Sequence, residues 1–124
     1  MIDEDIVERP WGEFNNIYER WDGDICYKIK QITVNPGCSI SLQSHKHRDE
    51  LWKIIKGEGE VIIDGAVYPA RPFPISDSYF VIRKEIQHRI TNTEQEPLVF
   101  IEVQTGDSFA EDDIIRFADE YGRV

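Results

Sequence analysis

Three histidines stand in the middle of this 124-residue chain, and two of them lie in a short run that reads Gln43, His45, His47, Glu50. On an extended strand alternate side chains share a face, so Gln43, His45 and His47 are expected to point the same way. A bend near His47 followed by a second strand would return Glu50 to that interior, and a later strand would add His88, with Asn92 four residues on. Two imidazole nitrogens, one carboxylate and one amide oxygen make a mixed N and O donor set. Such a set suits one divalent ion, zinc foremost, with Mn, Fe, Co and Ni also accommodated and softer metals disfavoured for want of a thiolate.

The elements that must position these groups are strands. From Glu13 to about Gln104 short runs of β-branched and aromatic residues alternate with turn residues, the pattern of a sandwich or barrel. Cys26 to Val34 sets Tyr27, Ile29, Gln31 and Thr33 on one face and Lys28, Lys30, Ile32 and Val34 on the other, until Asn35, Pro36 and Gly37 break the run. Asp64 and Gly65 between Val61–Ile63 and Ala66–Tyr68 mark a tight hairpin. Tyr79–Ile82, Gln87–Thr91 and Leu98–Val103 read as further strands. Near the C-terminus, Ser108 with Glu111 three residues later resembles a capping box, and Asp112 and Asp113 suit the positive end of a helix dipole. A short helix is expected there, docking Ile114, Ile115, Phe117 and Ala118 on the barrel and ending at Gly122.

Length and composition fit one folded domain over residues 1–124, with 40% hydrophobic and 31% charged residues. No long apolar run suggests a membrane span or an export signal, so a cytoplasmic location is expected. Cys26 and Cys38 are expected to be packed thiols. The net charge of −10 argues against nucleic acid or an anionic membrane as partner. Its distribution is uneven. Acids outnumber bases 8 to 2 in residues 1–27 and 9 to 2 in residues 90–124, but bases lead 10 to 7 in residues 28–89, where the histidines lie. A site there can attract a small anion.

The run from Gly37 through Gln43, His45 and Glu50 to Gly57, followed by His88 and Asn92, resembles the two motifs of the cupin superfamily, with Gln43 in place of the usual first histidine. A wider set of residues resembles the type II mannose-6-phosphate isomerase module, often the C-terminal domain of bifunctional mannose-1-phosphate guanylyltransferases. It comprises Arg9–Gly12, Tyr27–Lys30, Thr33–Gly37, Ser41–Gln43 with His45, His47 and Arg48, Glu102–Gln104, Gly106, Glu111–Phe117 and Tyr121–Arg123. The chain departs from the cupin pattern in carrying Asp77, Arg83 and Glu85 where Gly, Pro and Gly commonly precede the second histidine, and Leu51 where a histidine commonly follows the glutamate.

The resemblance implies an all-β cupin jelly-roll barrel with one metal ion on Gln43, His45, Glu50 and His88. An alternative register puts His47 in place of Gln43, but then only two residues separate it from Glu50 and seven separate Gly37 from His45. It also implies interconversion of mannose 6-phosphate and fructose 6-phosphate by proton transfer between C1 and C2. Arg48 would use its planar fork on a phosphate or enediolate oxygen, and His47 or Glu102 would assist. Lys28, Lys30, Arg83 or Lys84 would hold the phosphate. Cupin analogy further implies a homodimer through the N-terminal strands. No glycine-rich nucleotidyltransferase signature is present in these residues, so guanylyl transfer is not expected. Three other readings stand beside this one: a cupin that binds metal and sugar without turnover, an Fe-dependent oxygenase on His45, Glu50 and His88, and a metal-free structural cupin. Trp11, Trp21 and Trp52 are expected to be packing residues.

Overall fold

The computed structural model describes residues 5–119. Their alternating pattern resolves into eleven strands: β1 (Asp5–Arg9), β2 (Gly12–Asp22), β3 (Ile25–Val34), β4 (Leu42–Ser44), β5 (Arg48–Lys56), β6 (Gly59–Ile63), β7 (Ala66–Ala70), β8 (Tyr79–Ile82), β9 (His88–Thr91), β10 (Leu98–Gly106) and β11 (Ile115–Ala118). Every pairing is antiparallel. One sheet runs β1-β2-β3-β10-β5-β8 and the other β11-β4-β9-β6-β7, and inward side chains of both form one interior. Each strand anticipated from the sequence is present, and no described helix is long and apolar enough to cross a membrane.

Turns fall where the residue types allow them. Asp64 and Gly65 both adopt positive φ, 50° and 83°, in the β6–β7 hairpin. Gly57, which closes the first motif, is required by close approach as well as by its φ of 88°: a Cβ there would stand 2.5 Å from the Pro97 carbonyl oxygen. The core holds Val34, Ile54, Val61, Ile90, Leu98 and Phe100, all fully buried. Asn92 braces one end of it, its Nδ2 donating to the carbonyls of Val34 (3.0 Å) and Glu96 (2.7 Å). Cys26 and Cys38 are partly buried and unbridged. Trp11 and Trp52 pack inside as expected, but Trp21 is 52% exposed and lies against Phe109 at 4.8 Å between ring centroids.

The expected C-terminal helix does not form. Its capping groups are drawn to other partners: Glu111 reaches Lys30 at 2.6 Å, and the Asp113 carboxylate accepts the backbone N–H groups of Lys46 and His47 at 3.1 and 3.0 Å. Ser108 Oγ accepts only from the N–H of Ala110, at 3.4 Å. The chain then runs on as β11, supplying the edge partner of β4, a better use of consecutive β-branched residues at 114 and 115 than a helix. Gly122, the expected helix end, and Tyr121–Arg123 lie outside the described residues.

Candidate metal centre

Three strand ends converge on one buried point. His45 directly follows β4, Glu50 is the third residue of β5, and His88 opens β9. His45 Nδ1 lies 2.7 Å from the Asp113 carbonyl oxygen and His88 Nδ1 lies 2.9 Å from that of Ile86. A carbonyl can only accept, so each Nδ1 carries the proton and each Nε2 lone pair is turned inward. Glu50 meets them there, its Oε2 3.2 Å from His45 Nε2 and its Oε1 3.8 Å from His88 Nε2. One ligand atom from each residue lies within 4.8 Å of the others. His88 Nε2 is buried without any hydrogen-bond partner. An orphaned, inward-facing imidazole nitrogen is costly unless something accepts its lone pair, and a cation between these groups does so. The donor set therefore fits a metal ion.

Around this point the buried polar groups form one network. Arg48 Nε donates to Glu50 Oε2 (2.9 Å), and its Nη1 donates to the Ala110 carbonyl (3.2 Å). The indole N–H of Trp52 is shared between Glu50 Oε1 and Glu102 Oε1, at 3.0 and 3.1 Å, while Gln104 Nε2 donates to Glu102 Oε2 at 2.7 Å. Burial, then the charge of Arg48, lowers His45 to about 4; burial, then His45, does the same for His88. Both rings are neutral at neutral pH, the form that binds metal. Burial and the adjacent Glu50 push the Glu102 carboxyl up to about 7, with Lys30 and Arg48 opposing. Lys30, Gln43, His45, Arg48, Trp52 and Glu102 all line a single cavity of about 100 Å³.

The residues singled out from sequence divide sharply. His45, Glu50 and His88 meet; Gln43 stands opposite His88 in the β4–β9 register, with its Oε1 accepting from Ser41 Oγ at 2.8 Å. Arg48, Lys30 and Glu102 face the same cavity. His47 does not share the face of Gln43 and His45: its side chain is 54% exposed and paired with Asp107 at 3.2 Å. The bend at Lys46 and His47 ends the alternation, and Asp113 pins both their N–H groups. Arg83 and Lys84 are exposed on the turn before β9, away from the cavity lining. Lys28 is two residues from Lys30 on β3 and pairs with Glu19 at 3.6 Å. The unusual turn residues still deliver His88, because Glu85 takes a φ of 66°, where a glycine is usual, and donates its N–H to the His45 carbonyl at 2.6 Å.

Sequence reasoning missed Trp52 as part of the network. Its spacing of two from Glu50 on a strand was the available signal, as was that of Gln104 from Glu102. Arg9 and Glu111 were also missed as cavity residues.

This geometry has clear counterparts. A family model described as mannose-6-phosphate isomerase C-terminal matches residues 3–119. A mannose-1-phosphate guanylyltransferase of Escherichia coli is 40% identical over 118 residues, which are 95% of this chain and 23% of that protein. The alginate biosynthesis protein AlgA of Pseudomonas putida is likewise 40% identical over 95% of this chain and 23% of its own length. The chain thus spans about a quarter of these relatives. Among solved structures, the capsular polysaccharide assembling protein CapF of Staphylococcus aureus superposes with a TM-score of 0.80 at 14% identity, over 96% of this chain and 34% of that one. The Cnp3 cupin domain of Schizosaccharomyces pombe does so at 0.65 and 13%, over 83% and 69%. The barrel is a cupin, and the chain belongs to the mannose-6-phosphate isomerase C-terminal family.

Proposed function

We propose that this chain is a metal-dependent isomerase that interconverts mannose 6-phosphate and fructose 6-phosphate. The observation that carries the reading is the buried cluster of Glu50 with the neutral imidazoles of His45 and His88, which opens through His45 onto a cavity also lined by a buried arginine, Arg48, and by Glu102, a carboxyl pushed up to about 7. Family membership and the names of the relatives support the substrate class. His45, Glu50 and His88, with Gln43 as the fourth donor, hold the divalent ion, zinc by donor chemistry. When bound, that ion polarises the substrate oxygens as a Lewis acid.

The chain's own residues supply the rest. Glu102 moves the proton between C2 and C1, since a carboxyl titrating near neutral pH can both take and return it. Arg48, fixed through Nε by Glu50 and through Nη1 by the Ala110 carbonyl, lines the cavity with its Nη2 3.4 Å from His45 Nε2, where its charge can stabilise the negative charge that develops on the substrate oxygens. Lys30 is the cavity lysine suited to the phosphate.

A second reading, binding without turnover, draws on Glu102 itself, both of whose oxygens already accept hydrogen bonds from Trp52 and Gln104. A coupled assay for fructose 6-phosphate formation decides between them. Turnover that disappears in Glu102→Gln, with metal content retained, supports the isomerase. Saturable mannose 6-phosphate binding without any turnover in the metal-loaded protein leaves only the binding reading. Glu50→Gln is expected to lose the ion, and unchanged metal content in that variant would sink the ligand set.

A further inference from the structure

In the wall of the cavity that His45 also lines, two cations are held by the same ring. Lys30 Nζ lies 4.1 Å and Arg9 Cζ 5.2 Å from the centroid of Phe14. The Lys30 side chain is only 5% exposed, and a lysine so buried needs an anion. Its anion is Glu111, with Nζ 2.6 Å from Oε2, while Arg9 Nη2 reaches the other oxygen at 3.5 Å. Burial pushes the Glu111 carboxyl up, but Lys30, followed by Arg48 and Lys28, outweighs it and holds the group below its ordinary value. One carboxylate is thus gathered in by positive groups, of which Arg9, Lys30 and Arg48 line the cavity.

That carboxylate is lightly held in every other respect. It comes from the irregular segment between β10 and β11, and its side chain is 48% exposed. The backbone on either side is anchored separately, through the Ala110 carbonyl to Arg48 and through Asp113 to His45, Lys46 and His47. Rotating the Glu111 side chain outward therefore breaks its two ion pairs and none of those anchors. The cations keep their seat on Phe14 meanwhile. The cavity of about 100 Å³ is small beside the roughly 300–1,000 Å³ of small-molecule pockets, and an outward turn of Glu111, which lines it, would enlarge it.

We infer that Arg9 and Lys30, seated on Phe14, form a subsite for a compact phosphate group, which the Glu111 carboxylate fills until the phosphate displaces it. Only the identity of the natural ligand as a sugar phosphate rests on the isomerase reading; the subsite itself rests on the cation pair and its movable internal anion. Glu111 then acts as a built-in competitor. It screens the cations from each other and from adventitious binding, at the cost of apparent affinity for the true ligand.

Calorimetric titration of the purified full chain with inorganic phosphate and with mannose 6-phosphate tests this. Glu111→Gln, which removes the competitor from a half-exposed position, is expected to bind inorganic phosphate roughly tenfold more tightly. Lys30→Met is expected to bind it roughly tenfold more weakly, and Arg9→Gln, a change at a partly buried side chain, is expected to weaken it in the same direction. Phosphate affinity unchanged or reduced in Glu111→Gln overturns the subsite, as does phosphate that binds only at the metal ligands and ignores all three changes. Turnover of mannose 6-phosphate in a protein of that kind would keep the isomerase and discard the subsite. The tightening in Glu111→Gln without turnover in the parent protein would do the reverse.

Discussion

The two ends of the barrel are made by the same strands and filled with opposite chemistry. On β5 the inward residues run Arg48, Glu50, Trp52, Ile54; on β10, read in the paired direction, they run Gln104, Glu102, Phe100, Leu98; on β3 they pass from Lys30 to Ile32 and Val34. Register keeps the change aligned, since Lys30 faces Glu102, Glu102 faces Trp52, and Phe100 faces both Ile32 and Ile54. One end is thus an apolar core and the other a buried polar network, with Trp52 at the seam. The apolar end supplies the free energy that allows His45, Glu50 and His88 to be held out of water in fixed positions.

If that division holds, each end responds to its own perturbation. Phe100→Ala should cost about 3–5 kcal/mol in denaturant unfolding, through lost burial and a cavity, while the folded fraction keeps its metal; a loss below about 1 kcal/mol would mean the apolar end does not carry the stability. Trp52→Phe keeps the ring but removes the N–H shared by Glu50 and Glu102. Metal affinity, read by competition with a chromophoric chelator, should fall about 10–100-fold, with a stability cost of about 1–3 kcal/mol from carboxylates left short of a donor. A variant with parental metal affinity would return Trp52 to a packing role.

Proton uptake separates the ends without a mutation. His45 and His88 titrate at about 4 in the fold against an ordinary 6.5, so the unfolded chain binds more protons, and their contribution is complete above pH 6.5 and lost as pH falls towards 4. Glu102 works the other way: at about 7 in the fold against 4.5, its contribution is complete below pH 4.5 and lost as pH rises through 7. Two imidazoles outweigh one carboxyl, so the urea midpoint of chelator-treated protein should fall on acidification from pH 6.5 to 4. A flat profile would contradict a pair of neutral buried imidazoles. The smallest effect concerns the turn before β9. Glu85→Gly relieves a left-handed conformation and should raise stability by about 1 kcal/mol without changing metal content. Destabilisation there would show that the Glu85 side chain has a role of its own.

Much of this was legible in one dimension. Period-two alternation and turn residues located the strands from Cys26 to Val103, because both signals are local. His45, Glu50 and His88 were identifiable because their residue types and their glycine-bounded spacing together point to one site. The C-terminal segment was misread for a complementary reason. Ser108 and Glu111 satisfy a local helix rule, but Lys30, distant in sequence, offers Glu111 a stronger partner than a backbone N–H, and the edge of β4 offers the following isoleucine-rich run a ladder.

Composition and spacing thus decided the class of fold and the donor atoms, since strand period and ligand chemistry are properties of the residues themselves. Which neighbours those donors acquire was decided only in three dimensions. The bend at Lys46 turned His47 out to Asp107, β10 brought Glu102 beside Glu50, and the segment before β11 laid Glu111 between Arg9 and Lys30. Each of these depends on chain segments that meet across the barrel, where burial and charge act through distance in space and take no account of distance along the sequence.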